Sequence, residues 1–118
     1  QRLEAGEGIG YGSTYVTPEP MTIATIPVGY ADGYPRSLSN RGTVLIHGTR
    51  CPVVGRICMD QFMVAVPDTI TVQPGDKVVL LGSQGHESIS ALEIAALAST
   101  IPYEIFCGFS ERVPRQYI

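Results

Sequence analysis

The chain predicts a mainly β fold, a barrel-like or sandwich-like domain with one buried helix at about residues 91–99. Three observations carry this. Most of the sequence falls into short aliphatic or β-branched runs separated by Gly, Pro and Asp turns. A single stretch carries the start signals of a helix. The length of 118 residues suits one domain around one core, with no internal repeat and no low-complexity segment.

In chain order, strands are expected at residues 13–17, 21–28, 43–47, 50–54, 57–66, 76–81 and 104–110, each containing β-branched, aliphatic or aromatic residues. Pro27 and Pro52 inside such runs suggest edges or bulges, because proline cannot donate to a ladder. Turns are expected at Asp32-Gly33, at His47-Gly48-Thr49 and at Pro74-Gly75, the last with residues suited to the centre of a type II turn. The helix is signalled by Ser90 as N-cap, by Glu93 three residues on as a capping box, and by Ile89 and Ile94 as a hydrophobic staple. Its interior is apolar nearly all round, which predicts deep burial, and Pro102 stops it.

Composition excludes several classes. With 44% hydrophobic and 16% charged residues the chain is ordinary for a soluble globular protein, and no apolar run approaches the roughly 18 residues of a membrane span. The net charge of −3 comes with one lysine and seven scattered arginines, so no basic patch suits nucleic acid. Three cysteines, Cys51, Cys58 and Cys107, without a signal peptide fit reduced thiols in the cytoplasm. The start at Gln1 suggests a piece of something longer.

Few residues offer chemistry. His47, Cys51 and Cys58 are spaced H-x3-C-x6-C, but Cys51 and Cys58 fall on opposite faces of a continuous strand and no fourth ligand is near, so no metal site is expected unless a bulge at Gly55 restores the parity. His86 reads as a solvated loop residue. The track Gly6, Gly8, Gly10, Gly12 leaves Tyr11 open to close approach, yet it lacks the strand-then-helix context of a dinucleotide fingerprint. No Gly-x-Ser-x-Gly elbow exists. Tyr11, Tyr30, Arg36, Arg56, Met59, Asp60 and Tyr103 remain as oddly placed polar or exposed candidates, and each taken singly also suits a structural role.

Taken together they are ordered. Gly-Tyr-Gly-Ser-Thr-Tyr at 10–15, Ile-Pro-Val-Gly-Tyr-Ala-Asp-Gly-Tyr-Pro-Arg at 26–36, Pro-Val-Val-Gly-Arg-Ile-Cys-Met-Asp-Gln at 52–61, Ile-Pro-Tyr-Glu at 101–104 and Arg-Val-Pro-Arg at 112–115 closely resemble the C-terminal β domain of the alanine racemase family, over essentially the whole chain. The resemblance implies a pyridoxal 5′-phosphate enzyme of fold type III whose other half is an α/β barrel. It implies that Tyr11 is a catalytic acid/base for the L enantiomer, acting in the site of the opposite subunit of a homodimer. It further implies that the Met59 backbone N–H receives the substrate carboxylate and that Tyr103 bonds the cofactor phosphate. Tyr30, Arg36, Arg56, Asp60 and Ile101 match positions lining the pocket entrance. One departure is Gly10, where many members have Ser before the tyrosine.

Racemisation needs two acid/base groups on opposite faces of Cα, and a tyrosine of ordinary pKa about 10 must be lowered by cationic neighbours to serve. In the family those neighbours, and the lysine that is both second base and Schiff-base former, come from the barrel. Lys77, the only lysine, reads as a strand-edge charge and not as the cofactor lysine. The expectation is therefore a cytoplasmic racemase interconverting L- and D-alanine for peptidoglycan, inactive as this chain alone. A racemase of a larger amino acid such as serine or lysine, or a non-catalytic dimerisation module, is the alternative.

Overall fold

A computed structural model of the chain describes residues 1–9 and 15–98. Six strands form one open sheet, in the order β1 (Arg2–Leu3), β4 (Met21–Ile26), β7 (Phe62–Val66), β6 (Thr49–Val54), β5 (Thr43–Ile46) and β8 (Val78–Val79), every neighbouring pair antiparallel. Two small ribbons complete the β structure: β2 (Gly8–Ile9) with β3 (Tyr15–Val16), and β9 (Gly82–Gln84) with β10 (Glu87–Ile89). The helix α1 spans Ala91–Ala98. The fold is thus mainly β and sandwich-like, as expected, but among the described residues the sheet does not close into a barrel: β1 and β8 stand at opposite edges.

Side-chain parity explains why the sheet is covered on both faces. On β7, Phe62 and Val64 enter the main core, which also holds Ile26, Leu38, Val44, Leu45, Ile46, Cys51, Val53, Ile57, Ile89, Ile94 and Ala95. The alternate residues Met63 and Ala65 face a second cluster of Ile9, Ile23 and Val54. Ile9 brings the β2–β3 ribbon onto that second face. Buried Thr17 anchors the ribbon's base: its Oγ1 accepts from the Glu7 N–H at 2.8 Å and donates to the Glu4 carbonyl at 2.6 Å.

Several expected elements are shorter or differently used. Residues 57–61 do not join β7; the Cys58 N–H donates to the Gln61 carbonyl at 2.9 Å and closes a turn, which Gly55 (φ 81°) admits. Of residues 76–81 only Val78–Val79 pair, and His86, read as a solvated loop residue, is exposed at the turn of a hairpin over residues 82–89. Pro52 lies in an interior strand, not at an edge. It is tolerated because β6 pairs with β5 through Thr49–Pro52 and with β7 only from Val53 onward. Pro27 directly follows β4, where the Val28 N–H donates back to the Ile26 carbonyl at 2.9 Å. Residues 104–110 lie outside the described residues.

The helix is half-buried, a correction to the expected deep burial: Ile94 and Ala95 face the core, whereas Leu92 is 68% exposed. Its cap forms as expected, with the Glu93 N–H donating to Ser90 Oγ at 3.0 Å. The Glu93 carboxylate turns instead to Arg50, which reaches it at 2.9 and 3.1 Å and also binds Glu87 at 3.0 Å and the Ser88 carbonyl at 2.7 Å. Arg50 thereby joins β6, β10 and α1, and its guanidinium is held above its ordinary pKa by the hydrogen bonds it donates to Glu93 and then Glu87. Tyr34 stacks on Phe62 with ring centroids 4.8 Å apart. Burial, and secondly the charge of Glu93, push its phenol above the ordinary range.

The Pro74-Gly75 turn forms as expected, with Gly75 at φ 94° and the Asp76 N–H donating to the Gln73 carbonyl at 3.1 Å. Asp76 Oδ2 accepts from the Gln73 N–H at 2.8 Å and lies 2.9 Å from His47 Nε2. These contacts, the Gln73 N–H foremost, hold the Asp76 carboxyl below its usual value. A carboxylate with a depressed folded pKa contributes stability that is complete above the unfolded value of about 4 and vanishes as pH falls through the folded value. Thermal melts from pH 7 to pH 2 should therefore show Asp76→Asn less stable than wild type above pH ~4, with the two curves merging in stronger acid. A constant offset down to pH 2 would exclude this role. Ser90→Ala should cost about 1 kcal/mol in urea unfolding, the usual worth of a hydroxyl N-cap.

Candidate functional site

Two segments rich in candidate residues meet at the end of the sheet. One follows β4: Gly29 opens a 3-10 turn over Tyr30–Asp32, and a second such turn spans Arg36–Leu38. The other is the stretch 55–61 between β6 and β7. Their contact is backbone on backbone. The Tyr30 N–H donates to the Cys58 carbonyl and the Ala31 N–H to the Met59 carbonyl, both at 3.0 Å. Gly29 is what permits this approach, since a Cβ there would overlap the Cys58 oxygen and the Met59 carbonyl group.

The turn is itself tied. Asp32, buried, accepts the Gly29 N–H on Oδ2 at 3.1 Å, while the Asp32 N–H returns to the Gly29 carbonyl at 3.0 Å. A second pair of ties lies further along. Ser39 Oγ accepts the Ile57 N–H at 2.9 Å and donates to the Arg36 carbonyl at 2.7 Å. Asn40 Oδ1 accepts the Gly55 N–H at 2.6 Å. The segments are then pinned to the core by Tyr34, between the two 3-10 turns, and Phe62, just after residues 55–61, whose rings stack on each other.

This arrangement gathers four of the sequence-predicted residues, Tyr30, Arg36, Arg56 and Met59, around one hollow of about 260 Å³, with Ile57 and Cys58 completing the lining. The Arg36 guanidinium carbon lies 5.7 Å from the centre of the Tyr30 ring, within cation–π range. Met59 is 54% exposed, unusual for its residue type in so compact a turn. Asp60 is exposed beside Met59 but does not line the hollow. Tyr11, Ile101 and Tyr103 lie outside the described residues; Tyr11 belongs to the five residues between β2 and β3.

Asp32, Ser39 and Asn40 escaped sequence reasoning. Asp32 was legible only as a turn former beside Gly33. The signal that separates it is its place three residues after Gly29, where an acidic side chain can return to the backbone that opens the turn. A larger hollow of about 470 Å³ lies between β4 and residues 72–76, but its lining is chiefly aliphatic and includes none of the predicted site residues. Its one carboxylate, Asp76, is engaged with Gln73 and His47.

Among the described residues no three His, Cys, Asp or Glu side chains cluster as metal ligands. Cys51 is fully buried, and His47 is directed to Asp76. Lys77 is exposed just before β8 and is not part of the hollow. Among the described residues no helix is long and apolar enough to cross a membrane.

Comparison with known proteins agrees with this geometry. The family model for the alanine racemase C-terminal domain matches residues 1–117. The alanine racemase of Symbiobacterium thermophilum is 64% identical over 115 residues, covering 98% of this chain and 30% of its own. A crystal structure of alanine racemase from E. faecalis superposes with a TM-score of 0.93 at 48% identity, over 100% of this chain and 31% of that one. Another, from Bartonella henselae with covalently bound pyridoxal phosphate, gives 0.91 at 40% identity, over 100% of this chain and 32% of that one. The chain thus spans about a third of the length of the relatives it matches, and it belongs to the alanine racemase family as its C-terminal domain.

Proposed function

We propose that the full-length protein containing this chain interconverts L- and D-alanine with pyridoxal phosphate, and that this domain supplies a proton carrier and the carboxylate-binding edge of the site. The observation that carries the reading is the convergence of Tyr30, Arg36, Arg56 and Met59 on one hollow, in a chain whose family match runs from residue 1 to 117. When bound, the cofactor supplies the electron sink that makes the α-proton acidic. The Schiff-base lysine comes from the remainder of the protein, as does most of the pocket.

Within that frame Tyr11 removes or returns the α-proton on the face used for the L enantiomer, acting in the site of a second subunit of a homodimer. The Met59 backbone N–H receives the substrate carboxylate, a neutral donor that binds an anion without adding a titratable group. Tyr103 bonds the cofactor phosphate. Tyr30, Arg36, Arg56, Asp60 and Ile101 line the approach, where the arginines favour entry of a carboxylate. The product D-alanine serves peptidoglycan synthesis in the cytoplasm.

Chiral assay of the full-length protein with each enantiomer tests the reaction. Tyr11→Phe should lower kcat by at least about a hundredfold, the scale of a lost acid/base group, while cofactor absorbance is retained. Unchanged turnover in both directions would refute the role of Tyr11. For the isolated 118-residue chain, treatment with pyridoxal phosphate and borohydride should give no stoichiometric adduct on Lys77 by mass spectrometry, and no racemisation. A full adduct there would overturn the division of labour.

A further inference from the structure

The Met59 peptide is held in one orientation by neighbouring backbone. The Cys58 carbonyl accepts the Tyr30 N–H and the Met59 carbonyl accepts the Ala31 N–H, each at 3.0 Å, so the peptide units on both sides of Met59 are gripped by consecutive donors. A trans peptide is planar with its C=O and N–H antiparallel. Binding the Cys58 oxygen to Tyr30 therefore directs the Met59 N–H away from the 3-10 turn. Among the described residues that N–H donates to no acceptor.

The grip is only as firm as the turn that presents the two donors. Tyr30 and Ala31 are its first two residues, and Asp32 closes it by returning its carboxylate to the Gly29 N–H. Asp32 is buried, two residues after exposed Tyr30, and does not line the hollow that Tyr30 and Met59 share. We infer that Asp32 is a positioning residue: by closing the turn over Tyr30–Asp32 it aims the Met59 N–H at the substrate carboxylate, and so sets affinity for the carboxylate common to both enantiomers.

This rests on the alanine-racemising function proposed above. The test uses the full-length protein and three Asp32 variants, with KM and kcat measured in both directions and inhibition by propionate, which carries alanine's carboxylate and methyl but no amine. Asp32→Ala should raise KM for L- and D-alanine alike by about tenfold, weaken propionate to a similar degree and leave kcat within about threefold, the pattern of lost uniform binding. Asp32→Asn, which keeps an acceptor oxygen for the Gly29 N–H, should restore KM to near wild type. Where Asp32→Ala fails to fold by thermal melting, Asp32→Glu, which shifts the acceptor by one methylene, takes its place with the same expected rise. A wild-type protein unable to racemise alanine overturns the function and this inference together. An active wild type whose folded Ala or Glu variant keeps its KM, or loses kcat alone, overturns the inference and leaves the function standing.

Discussion

The arrangement of the site depends on one absence, the missing side chain of Gly29. Two chain segments far apart in sequence pass within hydrogen-bonding distance there, and a single methyl group would separate them. Everything nearby is organised to exploit that approach. The turn from Gly29 offers two successive N–H groups, the Cys58–Met59 stretch offers two successive carbonyls, and the ring pair Tyr34 and Phe62 fastens the segments immediately beyond the contact. Such a joint is stiff because backbone groups have fewer torsions to lose than side chains. It places chemistry at the edge of a sheet without asking any long side chain to hold still.

The sheet can support that edge because both its faces are covered. Parity along β4 and β7 sends Ile26, Phe62 and Val64 to the main core and Ile23, Met63 and Ala65 to the smaller cluster, so neither strand can slip by one residue without exchanging the two sets. The register that fixes Phe62 opposite Ile26 also fixes where 57–61 must turn, and where Gly29 arrives after β4. Arg50 performs a related task on the other side of the core, tying α1 and β10 to β6 through Glu93, Glu87 and the Ser88 carbonyl. The exposed pairs themselves contribute modestly, but a bidentate, multiply bonded guanidinium specifies how the helix sits.

Much of this was legible in the sequence, and what was not has physical reasons. The β class, the cores of four strands, the helix start at Ser90 and the Pro74-Gly75 turn follow from local chemistry that tertiary structure leaves intact. Residues 57–61 look like the beginning of β7 because Ile57, Cys58 and Met59 extend its apolar run; contacts with Gly29–Ala31 and Ser39, remote in sequence, help hold them in a turn. The burial of α1 was overestimated because Leu92 suits a core as well as a surface. The hairpin at 82–89 is too polar and too short for alternation to reveal it. Of the residues around the candidate hollow, Tyr30, Arg36, Arg56 and Met59 are singled out by motif order, whereas Asp32, Ser39 and Asn40 act through backbone groups that leave little trace in residue type.

A site edge built this way separates two tasks that a charged side chain would combine. Attraction of an anion is a long-range matter, suited to Arg36 and Arg56 at the rim; orientation is a short-range matter, suited to a fixed N–H. The Arg36 guanidinium rests over the Tyr30 ring at 5.7 Å, a contact worth about 0.5–1 kcal/mol where exposed. The Met59 peptide, by contrast, is held by backbone hydrogen bonds on both sides. Tyr30 belongs to both systems, its ring beneath the cation and its N–H on the held peptide. Within the proposed function, one residue thus couples the group that draws the substrate in to the group that receives it, and a disturbance of the turn should be felt first in binding and only secondarily in the chemical step.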